Sequence, residues 1–276
     1  MNCVDNGGLP ILNNISFMYR DNIDLNSADC QKTFLCHLSK MSMSEEDVVK
    51  TEIVTRVQGS LEWKAARQER LTSSNFGTIC KRKATTPPEC LLKEMLYSNF
   101  SSVYTEYGKR HEKAARRTYL RQMKVEHAGL TVKESGLIAS TEHVFLGCSP
   151  DGLVHCSHCK DSMGLLEIKC PAAMKWRMST PEECCADKSF FCSLNNGVVT
   201  LRHDHKYYYQ VQGQMGVSGR RWCDFVVWTC MGISVERIEF NPVMWEEMCE
   251  KLRIFYKRFF LPELFSRRVE RGLKLF

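Results

Sequence analysis

Two short runs constrain this chain more than any other feature: "VFLGCSPDGLV" (144–154) and "LLEIKCP" (165–171). Both read as strands, short and largely apolar, with a turn former in or after them. In the second, a strand's period of two puts Glu167 and Lys169 on one face and Leu166 and Ile168 on the other. In the first, Asp151 sits in a Pro-Asp-Gly turn, which suits a hairpin for local reasons alone. Taken singly, these are a solvated edge strand bearing an ion pair and an ordinary turn. Asp151 and Glu167 stand sixteen residues apart, so one strand can return beside the other.

The surrounding order is helices, a meander of strands, a helix, a hairpin and a last helix. Strand-like runs are "GLIAS", "CDFVVWTC" and "ISVERIEF", the last two joined by "MGI". "HDHKYYYQVQGQMGV" suits a helix, with His203 and His205 at its start, and "PVMWEEMCEKLRIFYKRFFLPELF" suits a C-terminal amphipathic helix. This order predicts an α/β (α+β) fold with one central mixed β-sheet flanked by helices. The 276 residues are 43% apolar, ample for a core. Residues 1–43 carry no clear periodicity and are set apart as an N-terminal segment, with 44–276 as one domain. Ser44 and Asp47 can cap a helix whose apolar positions are Val48, Val54, Val57 and Leu61. A second helix starts near Thr72 or Ser73, and "KRKATTPPEC" (81–90) is a loop before the helical "LLKEMLY".

No apolar stretch approaches the ~20 residues that span a bilayer, and "MNCVDNGGLP" lacks the basic start and apolar core of a signal peptide. The expectation is an intracellular, reducing location, nucleus or cytoplasm, with no secretion and no membrane partner. Fifteen cysteines, an odd count in a large chain, then read as reduced and mostly buried thiols. The net charge of +6 favours an anionic partner only mildly. Its distribution says more. "EYGKRHEKAARRTYLRQMKV" (106–125) reads as a long helix in which Arg110, Lys113, Arg117, Arg121 and Lys124 share one sector, with Ala115, Tyr119 and Met123 opposite. That basic stripe is either a solvated face or a surface for a DNA backbone. Glu112 falls on the apolar side, where a lone carboxylate is costly unless a cation or donor meets it.

Asp, a return strand and then Glu-x-Lys is the layout of the PD-(D/E)XK restriction-endonuclease-like core, in which adjacent strands aim carboxylates at one point. Hard oxygen ligands so placed suit Mg²⁺. The chain resembles the YqaJ-like viral recombinase family, related to phage lambda exonuclease, from about residue 48 to 265. Five colinear runs carry the likeness: "WKAARQERLTSSNFG", "YGKRHE", "GCSPDGL", "LEIKCP" and "YYYQVQGQM".

The resemblance implies a Mg²⁺-dependent deoxyribonuclease that degrades one strand of linear duplex DNA from its 5′ end, as in recombination or repair. Two ions act during catalysis and Mn²⁺ is a substitute. It implies catalytic roles for Glu112, Asp151, Glu167, Lys169 and Gln210, with metal held at Asp151, Glu167, Ile168 and Glu112. Tyr207, Gln210 and Gln214 share a helix face, and by residue pattern alone Gln212 or Gln214 serves as well as Gln210. It further implies a 5′-phosphate pocket at Arg67 and Ser74, with Arg70, Thr72 and Ser73 near enough to substitute; a guanidinium and helix-start donors suit a phosphate. A ring-shaped homotrimer and a single-strand annealing partner protein also belong to what the resemblance implies. A non-catalytic DNA-end-binding module, or an endonuclease or single-strand nuclease on the same core, are the alternatives.

Two features stand outside the resemblance. "CSHC" (156–159) is a lone C-x₂-C with His155, His158 and Cys170 as conceivable additions. Because a structural zinc takes about four ligands, these cysteines read as a hairpin tip. The Cys-rich run 178–199 reads as an insert.

Overall fold

A computed structural model describes residues 16–98 and 103–276. After a 3-10 turn at Ser16–Tyr19, the elements run α1 (Ala28–Lys40), α2 (Glu45–Val54), α3 (Leu61–Gln68), β1 (Leu71–Thr72), α4 (Ser73–Cys80), α5 (Glu89–Leu96), α6 (Val103–Met123), β2 (Thr131–Lys133), β3 (Ile138–Ala139), β4 (Leu146–Cys148), β5 (Gly152–His155) and β6 (Met163–Lys169). They continue with α7 (Met174–Arg177), α8 (Pro181–Cys184), β7 (Cys192–Asn195), β8 (Val198–Leu201), α9 (Lys206–Ser218), β9 (Trp222–Trp228), β10 (Ile233–Glu239), α10 (Pro242–Phe255), a π-helical turn at Tyr256–Phe260, and α11 (Leu261–Ser266). Over the described residues the chain divides into two compact units. One comprises 41–83 and 103–253, the other 16–40, 84–98 and 254–276.

The larger unit is built on a five-stranded mixed sheet of order β10-β9-β6-β5-β2. Only the β6–β9 contact is parallel, with Glu167 opposite Phe225; β5 returns antiparallel on β6, with Gly152 opposite Leu166. LLEIKCP therefore lies in the middle of the sheet, which overturns the solvated-edge reading. Both faces of β6 are covered, so Glu167 is only 2% exposed. On one face Leu166 and Ile168 pack with Ala115 and Tyr119 of α6 and with Trp222 and Val226. On the other, Leu165 joins Val211 and Met215 of α9, Phe225, and Phe190, Cys192 and Val199 from the Cys-rich run. Phe190, Cys192 and Val199 thus make that run part of the core, with α8 against β8 and β8 against β10.

A second, three-stranded sheet, β1-β4-β3, leads the chain from α3 into α4 and lies close to α9. Helix α4 packs on α9 at Gly213, where a Cβ would come within 2.7 Å of Phe76 Cε2, so only glycine admits this approach. The start of α4 and the glutamines of α9 are thereby held in one rigid layer.

Ser44 does cap α2, accepting from Asp47 N at 3.1 Å. The expected apolar face of that helix does not form: Val54, Val57 and Leu61 are all more than 60% exposed. Its buried side is polar instead. Glu52 accepts from Gly136 N at 3.0 Å and pairs with Arg56, while Thr55 Oγ1 accepts from Leu137 N at 2.7 Å. Helix α2 docks by satisfying backbone donors just before β3, which helical spacing of valines cannot signal. The C-terminal run 242–265 is helical throughout, as expected, with α10 passing through a π turn at Tyr256–Phe260 into α11.

In the smaller unit, Phe34 of α1 packs against Phe265 of α11 with ring centroids 5.6 Å apart. Tyr97 donates to the buried Glu263 at 2.7 Å, and Arg268 donates to the carbonyls of Asp21 and Ile23. The signal-peptide reading concerns residues 1–10, which lie outside the described residues. The described cysteines are free thiols, and no helix among the described residues is long and apolar enough to cross a membrane.

Candidate active site

The strand β6 and the turn before β5 bring the predicted charges together. Asp151 N donates to Leu166 O at 3.0 Å, and its own Oδ2 accepts from Ile168 N at 2.6 Å. The aspartate is thus tied at both ends to the strand that carries Glu167. Both oxygens of Glu167 are engaged: Oε1 accepts from Lys169 Nζ and from Gln210 Nε2, both at 2.6 Å, and Oε2 accepts from Gln214 Nε2 at 2.7 Å. Lys169 Nζ also reaches Gln210 Oε1 at 3.3 Å and lies 4.3 Å over the Tyr207 ring. From α6, Glu112 Oε1 accepts from Arg116 Nη2 at 2.8 Å, and the same nitrogen donates to the carbonyl of Asp151 at 2.5 Å.

The electrostatics carry the mark of crowded carboxylates. Burial, followed by the charges of Glu167 and Glu112, holds the Asp151 carboxyl well above the usual carboxylate range. Glu112 is also raised, by burial first; Arg116 opposes this and the Glu167 charge adds to it. Burial works against the Lys169 charge, but Glu167, Tyr207 and Asp151 outweigh it and its pKa rises. Carboxylates that disfavour one another's ionisation in a buried place form a donor set suited to a hard divalent cation. The residue types present suit Mg²⁺, with Asp151, Glu167 and Glu112 offering carboxylate oxygens and Ile168 only its main-chain carbonyl, although the three carboxylates do not all draw within 4.8 Å of one another.

The raised pKa values have a consequence for stability. A carboxylate with a folded-state pKa above its unfolded value contributes stability that is full below the unfolded pKa and lost as pH rises through the folded one. In metal-free protein, Asp151 and Glu112 should lower the melting temperature as pH rises above the ordinary carboxylate range. Mg²⁺ should reverse this, with a stabilisation of about 2.7 kcal/mol at a hundredfold excess over its Kd. Thermal melts with Mg²⁺ or with EDTA should show a metal-induced shift that grows with pH; a shift independent of pH would contradict the assignment.

The predicted phosphate pocket separates into parts. Arg67 Nη2 donates to Thr72 Oγ1 at 3.0 Å, and Thr72 Oγ1 lies 3.4 Å from Ser74 Oγ, so these three form one polar corner at the start of α4. Thr72 is the N-cap of α4 but makes no side-chain cap bond. The Arg67 guanidinium stacks 4.0 Å over Trp63, and burial lowers its pKa to about 10. Arg70 is not in this corner: it donates to Ala66 O and Met43 Sδ. Ser73 is buried at 3% exposure. The corner and the carboxylates are joined through β4. The buried Cys148 thiol is raised by burial and then by the Glu167 charge, while Arg67 lowers it.

The α9 glutamines divide by face. Gln210 and Gln214 both hold Glu167. Gln212 turns the other way, donating to Glu239 O at 2.9 Å and accepting from Asn241 N at 2.8 Å. Sequence spacing put Gln214 on the Gln210 face but did not mark it as a second donor to Glu167. Arg116 was missed altogether, because on a helix rich in arginine its i,i+4 relation to Glu112 does not stand out. His205 caps α9, accepting from Tyr207 N at 3.2 Å, and His203 stacks on Tyr208, so both belong to the helix start as predicted.

A mixed sheet with Glu167 and Lys169 on its central strand and Asp151 in the turn that leads into the neighbouring one, flanked by a helix glutamate and a helix glutamine, is that of a PD-(D/E)XK nuclease of the lambda-exonuclease kind, a nucleic-acid-binding class that works with a divalent metal. The family model of the YqaJ-like viral recombinase domain matches residues 62–221, and the chain belongs to that family. The matched span holds every residue of the cluster and of the polar corner. Among solved structures, the chain is similar to an alkaline exonuclease (LHK-Exo) from Laribacter hongkongensis, with 25% identity, a TM-score of 0.55, and coverage of 77% of this chain and 97% of that one. The crystal structure of LHK-Exo in complex with dAMP gives 24% identity and a TM-score of 0.54 over 77% and 96% of the two chains. SOX from KSHV, in complex with RNA, shares the fold alone, with 12% identity and a TM-score of 0.52 over 79% of this chain and 75% of that one. No curated protein sequence matches the chain.

Proposed function

We propose that the protein is a Mg²⁺-dependent exodeoxyribonuclease that hydrolyses phosphodiester bonds of linear duplex DNA from a 5′ end, in recombination or repair-type resection. The observation that carries this reading is the buried network in which Glu167 is bonded to Lys169, Gln210 and Gln214 while Asp151 is tied to the same strand. Bound at Asp151, Glu167, Glu112 and the Ile168 carbonyl, two Mg²⁺ ions, with Mn²⁺ as a substitute, would supply positive charge to the scissile phosphate and a more acidic water. Lys169, kept protonated by its neighbours, acts as a donor that orients the attacking water and balances charge on the phosphate. Gln210, bonded to both Glu167 and Lys169, positions that donor.

The polar corner of Arg67, Thr72 and Ser74 suits a terminal 5′ phosphate, since a guanidinium can donate to two phosphate oxygens at once. The exposed row of Arg110, Lys113, Arg117 and Arg121 on α6, with Lys124 just past its end, suits a duplex backbone, which is met by charge without sequence preference. The odd count of fifteen cysteines in a chain of this size suits a reducing compartment, nucleus or cytoplasm.

The test is degradation of 5′-phosphorylated and 5′-hydroxyl linear duplexes by pure protein, with Mg²⁺ or with EDTA. Mg²⁺-dependent loss of the 5′-ended strand is expected. Tight binding of ends without turnover would favour a non-catalytic module, and cutting of circular or single-stranded DNA would favour the other nuclease readings. In Arg67→Ala the preference for the phosphorylated end should fall by about tenfold or more, since hydrogen bonds to a charged group contribute about 1.5–3 kcal/mol. An unchanged preference would place the pocket elsewhere.

A further inference from the structure

We propose that His127, Cys156 and Cys159 form a zinc site, separate from the carboxylate cluster, that clips the end of α6 to the β5–β6 hairpin. The reading of the two cysteines as a hairpin tip rested on the want of about four ligands, and the structure brings a third, His127, from a distant part of the chain. The Nδ1 atom of His127 lies 3.5 Å from Cys156 Sγ and 3.7 Å from Cys159 Sγ. All three donor atoms lie within 4.8 Å of one another. In a tetrahedral zinc site, Zn–S and Zn–N bonds of about 2.3 and 2.0 Å put nitrogen and sulfur about 3.5 Å apart. One ring nitrogen nearly equidistant from two sulfurs matches a shared cation better than a single hydrogen bond, which would favour one of them.

The backbone presents the ligands. The Cys156–Cys159 turn is closed by Cys159 N to Cys156 O at 3.3 Å and Cys156 N to Ser162 O at 2.7 Å. His127 is fixed where α6 ends, by its own N–H to Met123 O and by Leu130 N to its carbonyl, both 2.9 Å. The two turns meet closely: a Cβ on Gly129 would fall on Ser157 Oγ and within 3.2 Å of His158 Cε1. A side chain at position 129 would require Ser157 and His158 to turn aside. Of the sequence-level candidates, Cys170 belongs to the other end of β6, where burial and the Asp151 and Glu112 charges push its thiol up to about 12.

The chemistry favours zinc over the Mg²⁺ of the carboxylate site. Two thiolates and an imidazole are soft and borderline ligands that Mg²⁺ takes poorly. Two thiolate charges also balance one Zn²⁺, so the site adds no net charge beside Arg237, whose Nη1 lies 3.5 Å from Cys159 Sγ. The fourth position is left to water. The consequence is mechanical: α6 carries Glu112, and the two strands of the clipped hairpin follow Asp151 and carry Glu167 and Lys169.

The test is metal analysis of the full chain isolated under reducing conditions, followed by titration with an organomercurial that displaces thiolate-bound zinc. About one zinc per chain is expected, released by the titrant and retained in Glu167→Gln, because a thiolate site binds zinc independently of the carboxylates. In His127→Asn and in Cys159→Ser, both at partly exposed positions, the retained zinc should drop to about a tenth or less. Replacement by Co²⁺ should give thiolate-to-metal charge-transfer absorption in the wild-type chain. This readout needs no variant to fold, and carboxylate-bound cobalt does not produce it. Zinc retained in both variants, zinc lost in Glu167→Gln or displaced by excess Mg²⁺, an absence of charge-transfer bands, or a Cys156–Cys159 disulfide in freshly isolated protein would each overturn the proposal.

Discussion

In Lys169→Ala, Mg²⁺-dependent degradation of duplex DNA is expected to fall by about 10²–10³-fold, the usual effect of deleting one donor that stabilises developing charge. The reason lies in where the amine is held. Its Nζ sits 2.6 Å from Glu167 Oε1, 3.3 Å from Gln210 Oε1 and 4.3 Å over Tyr207, so no flexible surface lysine can take its place. The substitution should leave the fold intact, because Glu167 retains its bonds from Gln210 and Gln214. Single-turnover release of nucleotides from a 5′-phosphorylated duplex, with end binding measured separately, reads the effect. The loss should lie in the chemical step with affinity for ends preserved. Equal rates for variant and wild type would remove Lys169 from the active site.

The largest effect on stability is expected at Arg237. Asp224 on β9 is wholly buried, and its oxygens accept from Arg237 Nε at 2.8 Å, Arg237 Nη2 at 3.0 Å and Tyr119 Oη at 2.6 Å. Arg237 stands directly opposite it on β10 and stacks 3.8 Å over Trp222. Arg237→Met leaves the aspartate charge buried with only the tyrosine as donor. The expected cost is about 3–5 kcal/mol, a fall in melting temperature of roughly 6–20 °C. Asp224→Leu combined with Arg237→Met should recover much of that loss, since an apolar pair of similar volume avoids desolvating two charges. Urea unfolding of the single and double variants, in excess zinc to keep the nearby thiols equally loaded, separates these outcomes. A cost below about 1 kcal/mol for Arg237→Met would mean that water reaches Asp224.

What could be read from residue order is local. Alternation in LLEIKCP put Glu167 and Lys169 on one face, and the angular count on 106–125 put Ala115 and Tyr119 inward, where both are fully buried. Ser44, His205 and the start of α4 were legible because caps and helix starts depend on neighbours in sequence. The valines of α2 misled for the same local reason: helical spacing reports a periodicity, not which side meets the core, and there the buried side hydrogen-bonds to backbone through Glu52 and Thr55. The strand's position in the sheet was also invisible. Edge and centre differ only in what lies alongside, and β9 comes more than fifty residues after β6.

By itself the sequence determined the mixed α/β class, the alternation that pairs Glu167 with Lys169, and, through five colinear runs, the family. Tertiary structure alone decided that this strand is central, that Gln214 joins Gln210 on Glu167, that Arg67 meets Thr72 and Ser74 while Arg70 turns away, and that His127 faces Cys156 and Cys159. The division has a physical cause. Helix and strand periods act over a few residues and leave their trace in the order of side chains. Carboxylate crowding, ion pairing and metal geometry act through space, between groups that the chain separates by tens of residues and only packing brings together.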